Sequence, residues 1–353
     1  AGERVGERRV GRRPCVDEAL LRAMGTPAGT EAAGAGLSVG YALGLATRDR
    51  HGVVGRCHGG STVGYRAMFC LFPEQGRAFF VSANTDSETA DYNELEAELV
   101  RLAGVTPPPP PPPLPPPLPP PPPEARAGEA DASAWAGYYV PSPNRFATFA
   151  WLDTTLGFVR VRADGPALSL LPLLSAPVPL APAGGALFRA PGRVVASHAV
   201  LASPDGGAVI SNGQQSWQRV PLTRLLPLWL SLIGGLLGLT YVLVAGLARL
   251  VTRRLAPSHP MFVPTLAALA PLLTLPLLYA QGFLRLGEKT PASVALALAT
   301  ASLPLAALWG LVLRRRRRSA GVVARLDALA LLCVLQWALV LAAWGLLPLR
   351  LWA

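Results

Sequence analysis

The residues best suited to chemistry are His58, Gly59, Gly60 and Ser61, which close a β-prone stretch that begins at Val53. Glycines directly after a strand's histidine leave the main chain without Cβ atoms, so a substrate can lie against the strand edge. A main-chain N–H at that edge can point at the oxygen of a carbonyl under attack. The imidazole can hydrogen-bond the substrate or the neighbourhood of the attacking group. Such a wall performs acyl transfer only when a nucleophile and its base face it. On its own, His-Gly-Gly also describes an ordinary tight turn.

The elements that must position these residues read as strand, turn, strand, turn, strand and helix. Gly36 to Thr47 (GLSVGYALGLAT) reads as one strand, and Val53 to His58 as the next. Tyr65 to Phe72 and Arg77 to Ala83 are apolar on both faces, as strands covered from both sides are. Half of a larger sheet leaves such strands without the layers that should cover them. Asp91 to Ala103 reads as an amphipathic helix with Asp91 and Glu94 as a capping pair and Leu95, Leu99 and Leu102 on one face. Gly104 ends it. Val16 to Met24 is a shorter helical patch. Residues 1–14 are basic and Gly-rich and read as a surface segment.

Residues 107–123 are proline except for Leu114 and Leu118. Such a run adopts polyproline II and serves as a stiff spacer of roughly 50 Å between domains. Beyond it, residues 133–221 hold short apolar segments separated by turn signals such as Asp205-Gly206-Gly207. These are 158–162, 167–171, 186–189, 194–201, 208–211 and 217–220. The pattern reads as a small antiparallel barrel or sandwich. His198 has no partner in sequence reach and reads as a packing residue.

From residue 222 onward the chain is mostly Leu, Ala, Val, Pro and Trp. Residues 225–248, 260–284, 290–313 and 328–349 are each long enough to cross a bilayer as a helix. Arg249, Arg253 and Arg254 follow the first span, and Arg314 to Arg318 with Arg325 separate the third from the fourth. Positive loops stay in the cytoplasm, so both soluble parts and the C-terminus are expected outside it, on a multi-pass protein of the cell (inner) membrane. Prolines 264, 271 and 276 should kink the second span. Gly234 and Gly238 form a GxxxG that suits either dimerisation or packing among the four helices. Gln281 and Gln336 are the polar residues expected within the membrane. With no charge in mid-span, ion or proton transport is not expected.

The net charge of +11 does not imply a nucleic-acid partner. Its densest run abuts an apolar span, which marks topology, and no aromatic residues interleave with it. His51, Cys57, His58 and Cys70 match no metal spacing, because Cys57 and His58 are adjacent on a strand and point to opposite faces. No metal or other cofactor is expected. A Cys57–Cys70 disulfide is open to this pair outside the cytoplasm, and spacing alone leaves it open.

GLSVGYALGL followed by GRCHGGSTVGYRAMFCLFPEQGRAFFVSAN resembles the C-terminal part of the serine β-lactamase-like family, which includes penicillin-binding proteins, class C β-lactamases and related esterases and D-aminopeptidases. The resemblance covers about residues 16–104. It implies the C-terminal part of an α+β domain over residues 1–104, a linker over 105–132, a small all-β barrel or sandwich over 133–221, and four transmembrane helices over 222–353. The opening Trp135 to Tyr139 and the membrane helices also resemble the tail of membrane-bound members. The resemblance makes His58, Gly59 and Gly60 the motif that faces the nucleophile, and the N–H of Ser61 one oxyanion donor. It implies a small-molecule or peptide acyl substrate and contact with membrane lipid. The family's nucleophile comes from Ser-x-x-Lys and its base region from Tyr-x-Asn. The only lysine, Lys289, has Leu286 three residues before it, and Tyr92 is followed directly by Asn93. Neither motif is present among these residues. The expectation is therefore the C-terminal portion of a membrane-anchored hydrolase, inactive alone. The alternative is a non-catalytic membrane-anchored interaction protein that keeps a hydrolase remnant.

Overall fold

The computed structural model describes residues 9–10, 13–14, 18–85, 89–107, 132–144, 146–203, 206–282, 285, 287–317 and 321–352. Most of the basic N-terminal stretch, and the proline run beyond Pro107, lie outside them. The chain divides into two units. One holds an open sheet and a closed barrel; the other holds residues 144–155 and the long helices.

In the first unit, β1 (Arg9–Val10) and β2 (Arg13–Pro14) form a small antiparallel pair. Two short helices follow, α1 (Glu18–Gly25) and α2 (Glu31–Gly34). Thr30 caps α2 by accepting the N–H of Ala33. The open sheet is an antiparallel meander of β3 (Gly40–Tyr41), β4 (Ala46–Arg50), β5 (Val53–Thr62), β6 (Tyr65–Phe72) and β7 (Arg77–Ala83). Two expectations change here. The stretch 36–47 is not one strand, because Ala42 to Leu45 turns, with Gly44 at φ 84°. The strand carrying His58 does not end there but runs to Thr62, so the turn is Val63-Gly64 and the His-Gly-Gly lies within the strand.

Helix α3 (Tyr92–Leu102) covers one face of the sheet. The Asp91 side chain accepts the N–H groups of Asn93 and Glu94, both at 2.9 Å, and Gly104 at φ 68° follows the last turn. Val53, Cys57, Cys70, Phe72, Val100 and Val105 form the core beneath it. The buried side of the helix is set by Val100 and Leu99 rather than by the expected leucine triad, since Leu102 is 74% exposed. The sheet is also not covered on both faces by the described residues: Phe80, on the other face, is 70% exposed.

The barrel closes eight antiparallel strands: β8 (Gly137–Pro141), β9 (Val159–Asp164), β10 (Ala167–Pro172), β11 (Val178–Gly184), β12 (Leu187–Arg189), β13 (His198–Ala202), β14 (Ala208–Ser211) and β15 (Ser216–Val220). Alternate residues fill it, among them Tyr139, Val161, Leu168, Leu180, Phe188, Val200 and Ile210. Sequence pattern did not reveal β8 or β11. Pro179 and Pro182 mask β11, although both are exposed and so tolerated.

Sheet and barrel share a buried seam although the proline run lies between them in sequence. Ala32, Leu37 and Val39 pack with Ala199, whose side of β13 faces away from the barrel interior. The Asp49 carboxylate accepts the N–H groups of Val194 at 2.6 Å and Val195 at 2.8 Å, and the Arg193 guanidinium donates to the Asp49 carbonyl.

In the second unit, α4 (Ala150–Thr155) docks on α5 (Leu222–Val251) through the Trp229 indole, which donates to the Thr155 carbonyl at 3.0 Å. With α6 (Phe262–Ala280), α7 (Pro291–Arg317) and α8 (Val322–Ala343), this makes four helices among the described residues that are long and apolar enough to cross a bilayer, as in a multi-pass membrane protein. Helix α6 runs continuously through Pro271 and Pro276. Gly238 presses on α8, where an added Cβ would meet the Ala330 carbonyl at 2.7 Å, so this end of the GxxxG is used inside the bundle. Gln336 donates to the Ser231 carbonyl and accepts from the Ser231 hydroxyl. One charged group escaped the sequence reading. Asp327 sits within α8, 5% exposed, paired with Arg249 at 2.8 Å and with the Tyr241 hydroxyl at 2.9 Å.

Candidate functional site

Strand β4 pairs with β5 only as far as Cys57, opposite Ala46. Strand β6 pairs with β5 all the way to Thr62. From His58 to Thr62, therefore, the β5 edge on the β4 side meets no strand among the described residues. Unpaired main-chain N–H and C=O groups on such an edge are ready to bind an extended or planar ligand. The four residues singled out by sequence all lie on this bare segment.

Cys57 and His58 do point to opposite faces. Cys57 is buried and bonded to Cys70, its partner directly across on β6, while His58 is exposed. The disulfide ties the two strands together immediately before the bare edge starts. His58 stands in a row with Phe69 and Phe80, its register partners on β6 and β7, and stacks on Phe69 at 6.2 Å between ring centres.

The His58 ring is held by the turn that sequence pattern missed. Its Nδ1 lies 2.7 Å from the Gly44 carbonyl oxygen. A carbonyl only accepts, so Nδ1 carries the proton and Nε2 of the neutral ring is left as an acceptor. This is the arrangement in which one ring nitrogen is anchored and the other is free for a ligand or a neighbouring hydroxyl.

The two glycines differ. A Cβ at Gly59 would stand 2.7 Å from the Met68 methyl and 3.3 Å from the Ala67 carbonyl, on the α3 side of the sheet. A Cβ at Gly60 would meet nothing within 4 Å. Gly60 therefore keeps open space on the face that carries His58, as a substrate-facing residue would. Ser61 is exposed, with Arg66 opposite it on β6.

His198, expected to be a packing residue, has a polar neighbourhood. It faces the barrel interior, with Nδ1 3.0 Å from the Ser197 hydroxyl. Burial, with help from the Arg193 charge, pushes its pKa down to about 4. A serine beside a histidine suggests nucleophilic catalysis, but so weak a base activates a hydroxyl poorly. The Ser197 oxygen is also already accepting the Ala190 N–H at 2.9 Å. Among the described residues, no cluster of His, Cys, Asp or Glu is arranged to hold a metal ion.

No family model matches the chain, and no curated protein matches it.

Proposed function

We propose that residues 18–105 are the oxyanion-side wall of a β-lactamase-related serine hydrolase, carried outside the cytoplasm on a four-helix membrane anchor. The observation that carries this reading is the bare edge of β5 from His58 to Thr62, beside an imidazole anchored at Gly44. In this reading an acyl substrate lies along that edge. A serine hydroxyl adds to its carbonyl, and the N–H of Ser61 stabilises the resulting oxyanion. Gly60 leaves room for the substrate, and His58 Nε2 accepts from the substrate or from a hydroxyl near the nucleophile. The attacking serine, its lysine and the tyrosine come from residues other than these 353, so this chain alone does not turn over substrate.

The Cys57–Cys70 disulfide favours an oxidising compartment for the sheet. Arg253 and Arg254 after α5, and Arg314 to Arg317 at the end of α7, favour a cytoplasmic position for those two loops. Both features agree with soluble parts that face outward.

The test is the in-frame sequence that precedes residue 1 in the native transcript. The expected result is a Ser-x-x-Lys followed by a Tyr-x-Asn. A start codon with neither motif after it overturns the hydrolase and leaves a membrane-anchored interaction protein. On the purified 353-residue chain, fluorophosphonate and penicillin probes are expected to leave no adduct. An acylated or phosphonylated serine on this chain overturns the proposed division of labour.

A further inference from the structure

The helical unit carries an aromatic surface that is independent of the hydrolase reading. Helix α5 starts, and α6 and α8 end, on the side of the bundle opposite the arginines that follow α5 and close α7. Three aromatic residues stand at those helix ends: Trp229 near the start of α5, Tyr279 in the last turn of α6 and Trp344 directly after α8. Trp and Tyr gather at the level of the lipid headgroups, where an amphipathic ring meets both apolar and wet surroundings. Tyr279 is 90% exposed on its helix, as such an anchor is. Along α5, Trp229 precedes Arg249 by 20 residues. That is a rise of roughly 30 Å, the thickness of a bilayer's hydrocarbon core. The aromatic residues therefore mark one headgroup level and the arginines mark the other.

Residues 144–155 are fixed at the aromatic level. The Trp229 indole donates to the Thr155 carbonyl, and Trp151, Thr154 and Thr155 are buried. The Asn144 side chain donates to the Asp153 carboxylate at 3.1 Å, which closes the segment into a compact loop. Between these points lies a 3₁₀ turn, Ala147–Phe149. Phe146 and Phe149 pack edge to face there, 6.2 Å between ring centres, yet remain 56% and 44% exposed. The segment is thus two-faced, with Trp151, Thr154 and Thr155 turned inward and the two phenylalanines outward. Neither ring has a polar group to satisfy in water. A pair of bare aromatic rings at headgroup depth is the chemistry of an element that rests in the interface.

We propose that this turn is a lipid-binding element, with Phe146 and Phe149 inserted between the headgroups and acyl chains of the leaflet that faces away from the arginines. Phospholipid is the occupant, rather than a second copy of the chain, because the segment is bonded to a tryptophan at headgroup depth. The segment joins β8 to β9, so it tethers the barrel to the bilayer at a point separate from the barrel's covalent link to α5.

The experiment is spin labelling of the full chain in phosphatidylcholine nanodiscs. Phe146→Cys and Phe149→Cys are labelled separately in a Cys333→Ala background, with Cys57 and Cys70 kept in their disulfide. Leu237→Cys, exposed midway along α5, reports lipid, and Arg162→Cys, exposed on β9, reports water. Collision with oxygen, which concentrates in the bilayer, is compared with collision with a water-soluble nickel chelate. At both phenylalanine positions the oxygen-to-nickel ratio is expected severalfold above that at Arg162, approaching that at Leu237. Near-UV circular dichroism identifies any variant that fails to fold, and Thr148→Cys, exposed in the same turn, then takes its place. A ratio at either position no higher than that at Arg162 overturns the proposal. So does shielding from both reagents, which would put the two rings in a protein contact instead.

Discussion

The main chain of Gly40 lies directly against that of Gly213. A Cβ added to Gly40 would stand 2.7 Å from the Gly213 carbonyl oxygen, and one added to Gly213 would stand 2.9 Å from the Gly40 Cα and 2.2 Å from the Val39 carbonyl oxygen. Both glycines have positive φ, 142° and 78°. Tyr41 N–H donates to the Gly213 carbonyl across the same contact. This is where the open sheet meets the β14–β15 turn of the barrel, and only glycine permits the approach.

Gly213→Ala should therefore cost more than a positive-φ alanine elsewhere. Gly206 has almost the same φ, 79°, and nothing within 4 Å of an added Cβ. Gly206→Ala is expected to cost about 1–2 kcal/mol from backbone conformation alone. Gly213→Ala should cost at least about 2 kcal/mol more, because backbone atoms must move apart. The thermal midpoints of the two variants in the full chain measure the difference. Equal losses would mean that the seam yields without cost.

His198 predicts an acid-sensitive barrel. Its pKa falls from 6.5 to about 4 on folding, chiefly through burial. The unfolded chain therefore binds the proton more readily than the folded one between these values. Stability from this group is complete above about pH 6.5 and is lost progressively as pH falls towards 4, on the order of 3 kcal/mol in all. The unfolding midpoint should be lower at pH 4.5 than at pH 7 in wild type, and the two should lie closer together in His198→Gln. The same acid slope in both proteins would remove His198 from the account.

The Arg249–Asp327 pair predicts an asymmetry between substitutions. Removing one partner of a buried pair strands the other charge, at about 3–5 kcal/mol. Asp327→Ala leaves Arg249 without its carboxylate and should weaken the α5–α8 packing by that order. Replacing both, as Arg249→Met with Asp327→Leu, should recover most of the loss. Resistance of the full chain to unfolding by sodium dodecyl sulfate reports the ranking, and a double variant as weak as Asp327→Ala would contradict it.

The Cys57–Cys70 bond joins residues 13 apart and should stabilise the β5–β6 hairpin by about 3 kcal/mol through the loop that it closes. Hydrogen exchange at β5 and β6 should quicken in Cys57→Ala/Cys70→Ala, while protection in β9 and β10 should stay unchanged. Faster exchange throughout the barrel would show that the hairpin and the barrel unfold together.

What the sequence determined by itself were features written in short windows. Hydropathy sustained over about 20 residues marks a span, a period of two marks a strand, and Asp91 before an amphipathic run marks a helix start. These located the strands around His58, helix α3, most of the barrel strands and all four long helices. Only the tertiary structure decided which edge of β5 stays bare, that the Gly44 carbonyl holds His58, that Gly40 and Gly213 touch, and that Trp229 holds α4. Trp229 reaches Thr155 across 74 residues of chain, and Asp49 reaches Val194 across 145. Periodicity reports which face of an element is apolar. It carries no information about which distant element arrives there, how closely the two backbones approach, or whether the space between them is filled.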